Sequence, residues 1–421
     1  MTSSIDSRPI WTTPAARIGL CVVTVGLVFA YYATSWRTID EFVRSVDHCE
    51  ILFNDFVVYY YRTARAVLAG TSPTKGYFYT PFFALLVMPF GLLTPSAAYM
   101  MWAALQAVAA IGLWIVPAVD FWRRSFALFY VYLLLSVSSF PLLHNAAWGQ
   151  VSVPLTLMVI GALFFYKRGW KATAAVLLAA ATAIKYYPVL FIVYFMMRRE
   201  LRFLVVFFVA VVAFFLVVPA AALGVQETLG FYQVVGKGVG QAAEWVPRDF
   251  NSQFVVNVLD RDLSLVARRL GTELPSESWR PVFATMGGVI LLINGFLVWR
   301  TTPRGDGEAC DFAFMLIFAS LPFVVTTSWP HYFVHLPFCQ VVLLRSLIGQ
   351  TGLRRRLVAL LPLVTSMLLS SSVVFNMFGR WQLYSYVGCL FFANFLLLIA
   401  TYSLVLMSMR PSSRNTDPDH P

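Results

Sequence analysis

KATAAVLLAAATAIKYYPVLFIVYFMM, residues 171–197, decides the fold. It is apolar for longer than the roughly 20 residues one bilayer crossing needs, yet Lys185 and Pro188 interrupt it and basic residues stand at both ends. Proline breaks the helical hydrogen-bond ladder, and basic flanks mark the cytoplasmic side of a membrane. The stretch therefore reads as two short helices that start and end in the cytoplasm and meet at the far side, around the KYYP of 185–188.

The composition agrees. Of 421 residues, 59% are hydrophobic, 16% aromatic and only 12% charged, which is too apolar for a water-soluble globule. The net charge of +11 is not the footprint of a nucleic-acid binder, because the basic residues fall in short clusters between apolar segments: Arg123 and Arg124, Lys167 to Lys171, Arg198 to Arg202, Arg300 to Arg304, and Arg354 to Arg356. Such clusters set topology. The five cysteines give neither a disulfide framework nor a metal-ligand spacing. Arg8 and Arg17 precede an apolar run with no small-residue cleavage pattern, so the first helix reads as uncleaved.

Ten further segments are long enough to cross: 15–34, 95–119, 125–143, 150–166, 202–223, 281–299, 312–327, 332–348, 355–376 and 383–408. The run 79–93 is shorter and holds two prolines; treating it as an interfacial helix lets every basic cluster lie inside. The expectation is an all-α polytopic membrane protein of about 10–12 transmembrane helices, one domain over 1–410, with both termini cytoplasmic and a disordered tail at 411–421. The opposite face then collects the first outer loop 35–94, HNAAWGQ at 144–150, KYYP at 185–188, the long loop 224–280, SWPHYF at 328–333 and FGRWQ at 378–382. Interfacial helices are expected in the first and in a later outer loop.

These outer segments hold the polar and aromatic residues that chemistry would use. Asp55 opens NDFVVYYYRTARAVLAG, whose apolar positions recur at helical spacing. It fits a helix N-cap and an active-site carboxylate equally well. Interface anchoring accounts for a Trp such as Trp148, but His144, Asn145 and Gln150 are costly at a membrane boundary unless they meet water or a ligand. Lys185 is the ionisable residue set inside a long apolar segment, and an embedded charge is a functional candidate by default. His331 and His335 stand i, i+4 beside Trp329 and Tyr332; a phosphate-facing or hydrogen-bonding role for His331 suits that setting better than a metal, with His335 a satisfied histidine inside the bundle.

In order along the chain, DFVVYY, AVLAGTSPTKGYFYTPFFALLVMPFGLL, the WGQ-to-IKYYPVLF stretch, FNSQ and SWPHY resemble glycosyltransferase family 87, lipid-linked-sugar-dependent enzymes of the GT-C fold. The chain departs from the family's usual patterns at Tyr79-Thr80-Pro81 and Asn251-Ser252-Gln253. The resemblance implies a hexosyltransferase that moves mannose, or in some members a pentofuranose such as arabinose, from a polyprenyl-phosphate donor to a lipid or glycan hydroxyl outside the cytoplasm. No cofactor, no metal-ligand set and no nucleic-acid partner are expected. Asp55 would be the general base of an inverting transfer. Lys185, His331, Arg62, Tyr59, Gln150, Asn145, Trp329 and Tyr332 would bind the donor, and Asn251, Gln253 and Tyr79 would contact the acceptor or its loops. A transporter or flippase of a lipid-linked glycan, or a glycan ligase or polymerase, is the alternative; the weak repeat symmetry typical of transporters is not visible in the chain.

Overall fold

A computed structural model describes residues 13–34, 53–272, 276–302, 307–349, 353–378 and 381–409. The tail 411–421, residues 35–52 of the first outer loop with Asp40, Glu41, Asp47 and Glu50, and Gly379 and Arg380 of FGRWQ lie outside the described residues. The described chain is helical throughout, and its sole strand-like pairing is one bridge, Ser139 to Ser371. It is an all-α polytopic membrane protein.

Among the described residues, seven helices are long and apolar enough to cross a bilayer: Pro14–Tyr31, Pro95–Arg124, Leu201–Leu223, Trp279–Thr301, Gly307–Val324, Pro330–Ile348 and Cys389–Met407. Three expected crossings are shorter than a full span. The segment 125–143 breaks after Phe126–Val137 and restarts as Phe140–Trp148, because Ser139 caps the second helix by accepting Leu142 N–H (3.4 Å) and Pro141 fits its first turn. Ser152–Lys167 and Leu353–Leu369 are the other two. The stretch 171–197 forms two helices, Lys171–Ile184 and Ile192–Met197, broken at Lys185 and Tyr186 and followed by a 3-10 turn at Tyr187–Phe191. Within residues 81–92, Phe82, Phe83, Ala84, Val87 and Phe90 are buried against the bundle while Leu86 and Leu92 are exposed.

Three helices give the bundle two distinct ends. Ser152–Lys167 starts beside Gln150 and ends at Lys167, Lys171–Ile184 runs from Lys171 to Lys185, and Pro330–Ile348 from His331 past Arg345. Each separates its two marker residues by about 20–25 Å. At one end the charges pair: Lys167 with Asp120 and with Asp311 (2.8 Å), Arg345 with Asp311 (2.9 Å), Lys171 with Glu200 (2.7 Å), and Arg124 with Glu308. Asp311 and Arg345 are buried, which a charge tolerates only with such partners. The other end holds the polar and aromatic outer segments. The helix Val225–Trp245 belongs to this end and carries glycines at 230, 236, 238 and 240.

Candidate active site

The opposite end is built around the turn at Gly149. Gly149 adopts φ +67°, and a Cβ there would sit 2.8 Å from Phe53 Cβ and 3.0 Å from Phe53 Cα, so only glycine lets the two segments meet. Phe53 N–H donates to Ala147 O (2.8 Å) and Trp102 Nε1 donates to Gly149 O (2.9 Å), while Trp102 stacks on Phe56 at 4.9 Å. Phe53 itself holds φ 61°, a left-handed conformation that costs a bulky residue about 1–2 kcal/mol. From Phe56 to Tyr61 the chain then winds as a π-helix, a wide turn that recurs at functional sites.

Asp55 stands in the helical turn just before this winding, at φ −67° and ψ −34°, and its side chain caps nothing. The N-cap reading is thereby removed: the residue is already helical, and its carboxylate is turned away from the backbone donors. Instead it accepts a hydrogen bond from Gln150 Nε2. Gln150 Oε1 accepts from Tyr60 Oη (3.1 Å) and Tyr79 Oη (3.0 Å), and the two hydroxyls are 2.6 Å apart. Burial pushes the Asp55 carboxyl up to about 7, against the lowering pull of the Gln150 N–H and of the Lys185 charge.

Asp55 opens onto a cavity of about 660 Å³. On its walls a run of flat rings follows from Trp148 to His144 (5.8 Å), His331 (5.6 Å), Trp329 (6.0 Å) and Trp245 (6.2 Å). Trp329 Nε1 donates to Asp249 Oδ2 (2.6 Å), and Asp249 Oδ1 also accepts Asn251 N–H (2.9 Å). His331 is 3% exposed, lines the cavity, and has no hydrogen-bond partner on either ring nitrogen among the described residues. Lys75 and Arg248 are exposed on the lining.

A second cavity of about 500 Å³ adjoins the first, and Phe78, Tyr79 and Trp329 line both. It is more apolar, with Val189, Leu190, Val239, Val246 and Phe254 on its walls, and the exposed Tyr186, Val189 and Val324 lie at its rim. Lys185 is on its lining: Nζ is buried without a hydrogen-bond partner among the described residues, 3.9 Å from the Tyr332 ring centre and 5.5 Å from that of Tyr79. Thr80 fixes this neighbourhood, since its hydroxyl caps the helix Pro81–Val87 (Phe83 N–H, 3.3 Å) and donates to Ala183 O, two residues before Lys185.

Of the residues singled out by sequence, Asp55, Tyr59, Gln150, His331, Asn251, Tyr79 and Trp329 share the first cavity, and Lys185 and Tyr332 share the second with Tyr79 and Trp329. Three do not reach either. Arg62 is exposed on the helix Arg62–Leu68. Asn145 spends its amide inside the protein, donating to Gln106 Oε1 (3.0 Å) and accepting the N–H groups of Ser152 (3.0 Å) and Val153 (3.3 Å) at a helix start. Gln253 ties the 249–254 turn to the last helices, donating to Ser385 O (2.9 Å) and accepting Phe391 N–H (3.1 Å). His331 and His335 do not share a face, because the turn Pro330–His335 is 3-10 and brings i and i+3 together. His335 instead contacts Tyr332 O through Nδ1 (2.9 Å) and stacks on Phe318 (4.7 Å).

Sequence reasoning passed over Tyr60 and Trp245 as site residues, and held Asp249 only as the next candidate base after Asp55. Tyr60 lies five residues past Asp55, off its face in an α-helix but brought round by the wider π turn. For Trp245 and Asp249, the signal present was aromatic and acidic content in a loop opposite the basic clusters.

The family model described as Glycosyltransferase family 87 matches residues 77–328, more than half of the chain. No curated protein and no solved structure matches it.

Proposed function

Since the chain belongs to glycosyltransferase family 87, and is thus a membrane glycosyltransferase, we propose that it transfers mannose from a polyprenyl-phosphate donor to a hydroxyl of a lipid or glycan acceptor. One observation carries this reading: a carboxyl and a buried lysine whose Nζ has no hydrogen-bond partner among the described residues line two adjoining cavities that share Tyr79 and Trp329. The ring-lined cavity beside Asp55 suits an acceptor sugar, whose C–H faces pack on aromatic rings. The apolar cavity with its exposed rim suits an isoprenoid tail entering from the bilayer, and Lys185 suits the phosphate at its head.

The proposed chemistry is a single displacement with inversion. Asp55 takes the proton from the acceptor hydroxyl, the acceptor oxygen bonds to the anomeric carbon, and the bond from that carbon to the phosphate oxygen breaks. The departing electron pair stays on the phosphate, where Lys185 offsets the charge. Positive charge building on the sugar ring is spread as in glycoside hydrolysis. A carboxyl with a pKa near 7 is well matched to a general base at neutral pH. We place the site on the extracytoplasmic face of the cell membrane, because the basic clusters and their ion pairs gather at the other end of the bundle.

The test incubates membranes bearing the protein with radiolabelled polyprenyl-phosphate mannose and extracted lipid acceptors. Labelled product that depends on the protein supports the reading. Transfer from polyprenyl-phosphate arabinose alone would replace the sugar and keep the donor class. Transfer from a nucleotide sugar, with none from either lipid donor, would overturn it.

A further inference from the structure

We infer that Gln150 is a positioning residue for the Asp55 carboxylate and that Tyr60 and Tyr79 together lock it in the working orientation. An amide side chain can be turned over, exchanging donor for acceptor. Here the ionised Asp55, which only accepts, takes Nε2, and Oε1 faces the Tyr60 and Tyr79 hydroxyls at 3.1 Å and 3.0 Å; these stand 2.6 Å apart, so one donates to Oε1 while the other donates to its neighbour. Turned over, the amide would present an oxygen to the carboxylate, and the two acceptors could coexist only with Asp55 protonated and unable to take a proton.

The backbone of Gln150 is held as firmly. Its N–H donates to Asn145 O (3.0 Å), its carbonyl accepts Gln106 Nε2 (3.0 Å), and Gln106 and Asn145 bond each other (3.0 Å). Gln106 lies buried within the apolar helix Pro95–Arg124, where a polar side chain is expensive unless it is used. The same frame explains why Asn145 is buried without touching either cavity.

Because a donated hydrogen bond favours the charged carboxylate, the lock should be visible in the pH dependence of transfer. The other ionisable groups facing Asp55 are Lys185 from the helix break and, across the cavity, His144, His331 and Asp249, with Lys75 and Arg248 on the lining. None of them is hydrogen-bonded to Gln150. Tyr60 and Tyr79 are held protonated by burial and remain donors across the working range.

This inference rests on Asp55 being the base, so the experiment carries Asp55→Asn alongside. The pH profile of kcat/KM is measured for wild type, Tyr60→Phe, Tyr79→Phe, the double variant and Gln150→Leu, each with its detergent melting temperature. Either hydroxyl alone can hold Oε1, so each single variant leaves the acid limb within about 0.3 pH units of wild type. The double variant and Gln150→Leu each move it up by about one pH unit, and their rates recover towards high pH. That excess over the sum of the singles is the signature of a shared lock. Equal acid limbs in all variants, or a rate loss that is the same at every pH, would show the three residues to be packing only. Retained transfer in Asp55→Asn would instead remove the base itself, whatever the tyrosine variants do.

Discussion

Asp55→Asn separates chemistry from stability because the two effects have opposite signs. Loss of a general base costs about 100-fold to 10,000-fold in rate. Stability should move the other way. The folded protein holds the Asp55 carboxyl at about 7, above its ordinary value of 3.8, so the fold prefers the protonated form. The stability this contributes is complete below about pH 4 and is lost as pH rises through 7. Above 7 the buried charge costs about 4 kcal/mol relative to a neutral side chain, at 1.4 kcal/mol per pKa unit. Asparagine never ionises, keeps the size, and offers Oδ1 to the same Gln150 N–H. The variant should therefore melt no lower than wild type at pH 5 and higher at pH 8, with transfer reduced at least 100-fold at both. The assay pairs a radiolabel transfer rate with a detergent melting curve at the two pH values. Transfer within tenfold of wild type by a folded variant would refute the base. A melting temperature lowered equally at both pH values would refute the buried-charge argument.

Lys185→Met, which keeps the stem and removes the charge, should raise the donor KM and lower kcat; unchanged kinetics in a folded protein would take Lys185 out of the donor site. Gly149→Ala forces a Cβ into 2.8 Å contact with Phe53 at a φ of +67°, and should cost more than about 2 kcal/mol; an unchanged melting temperature would count against the close approach. Ser72→Cys, at an exposed position, should react with a membrane-impermeant thiol reagent on intact cells above the wild-type background; labelling only after the membrane is opened would invert the topology. In wild type, kcat/KM should fall as pH drops below about 7, the range in which Asp55 gains its proton; a flat profile from pH 5 to 8 would exclude it as the base.

Much of this was legible in the chain because membrane insertion leaves a simple record. Pro188 and Lys185 marked the break between two helices, and the basic clusters marked the end of the bundle where Lys167, Lys171 and Arg345 pair. Asp55, Gln150 and His331 stood out as polar residues in costly places, and they do line one cavity. What was not legible depends on direction. Arg62 is as basic as Lys185, but its helix turns it outward. Asn145 is as polar as Gln150, but one turn of chain points it into a helix start. Spacing also misleads when the winding is not α: the π turn gathers Tyr60 to Asp55, and the 3-10 turn parts His335 from His331. That Phe78, Tyr79 and Trp329 wall two cavities at once is a property of the assembled helices.

Tyr79 presents its ring to Lys185 at 5.5 Å and its hydroxyl to Gln150 at 3.0 Å. A substitution that reshapes the lysine side of the wall therefore also touches the proton-accepting side. Selection for a bulkier or smaller donor sugar at this residue would drag the optimum pH with it, and variants that change one trait alone should be found elsewhere. Phe78 borders both cavities too, and no hydrogen bond to the base runs through its ring. In a mutant library, adaptation of sugar preference should collect at Phe78 and spare Tyr79.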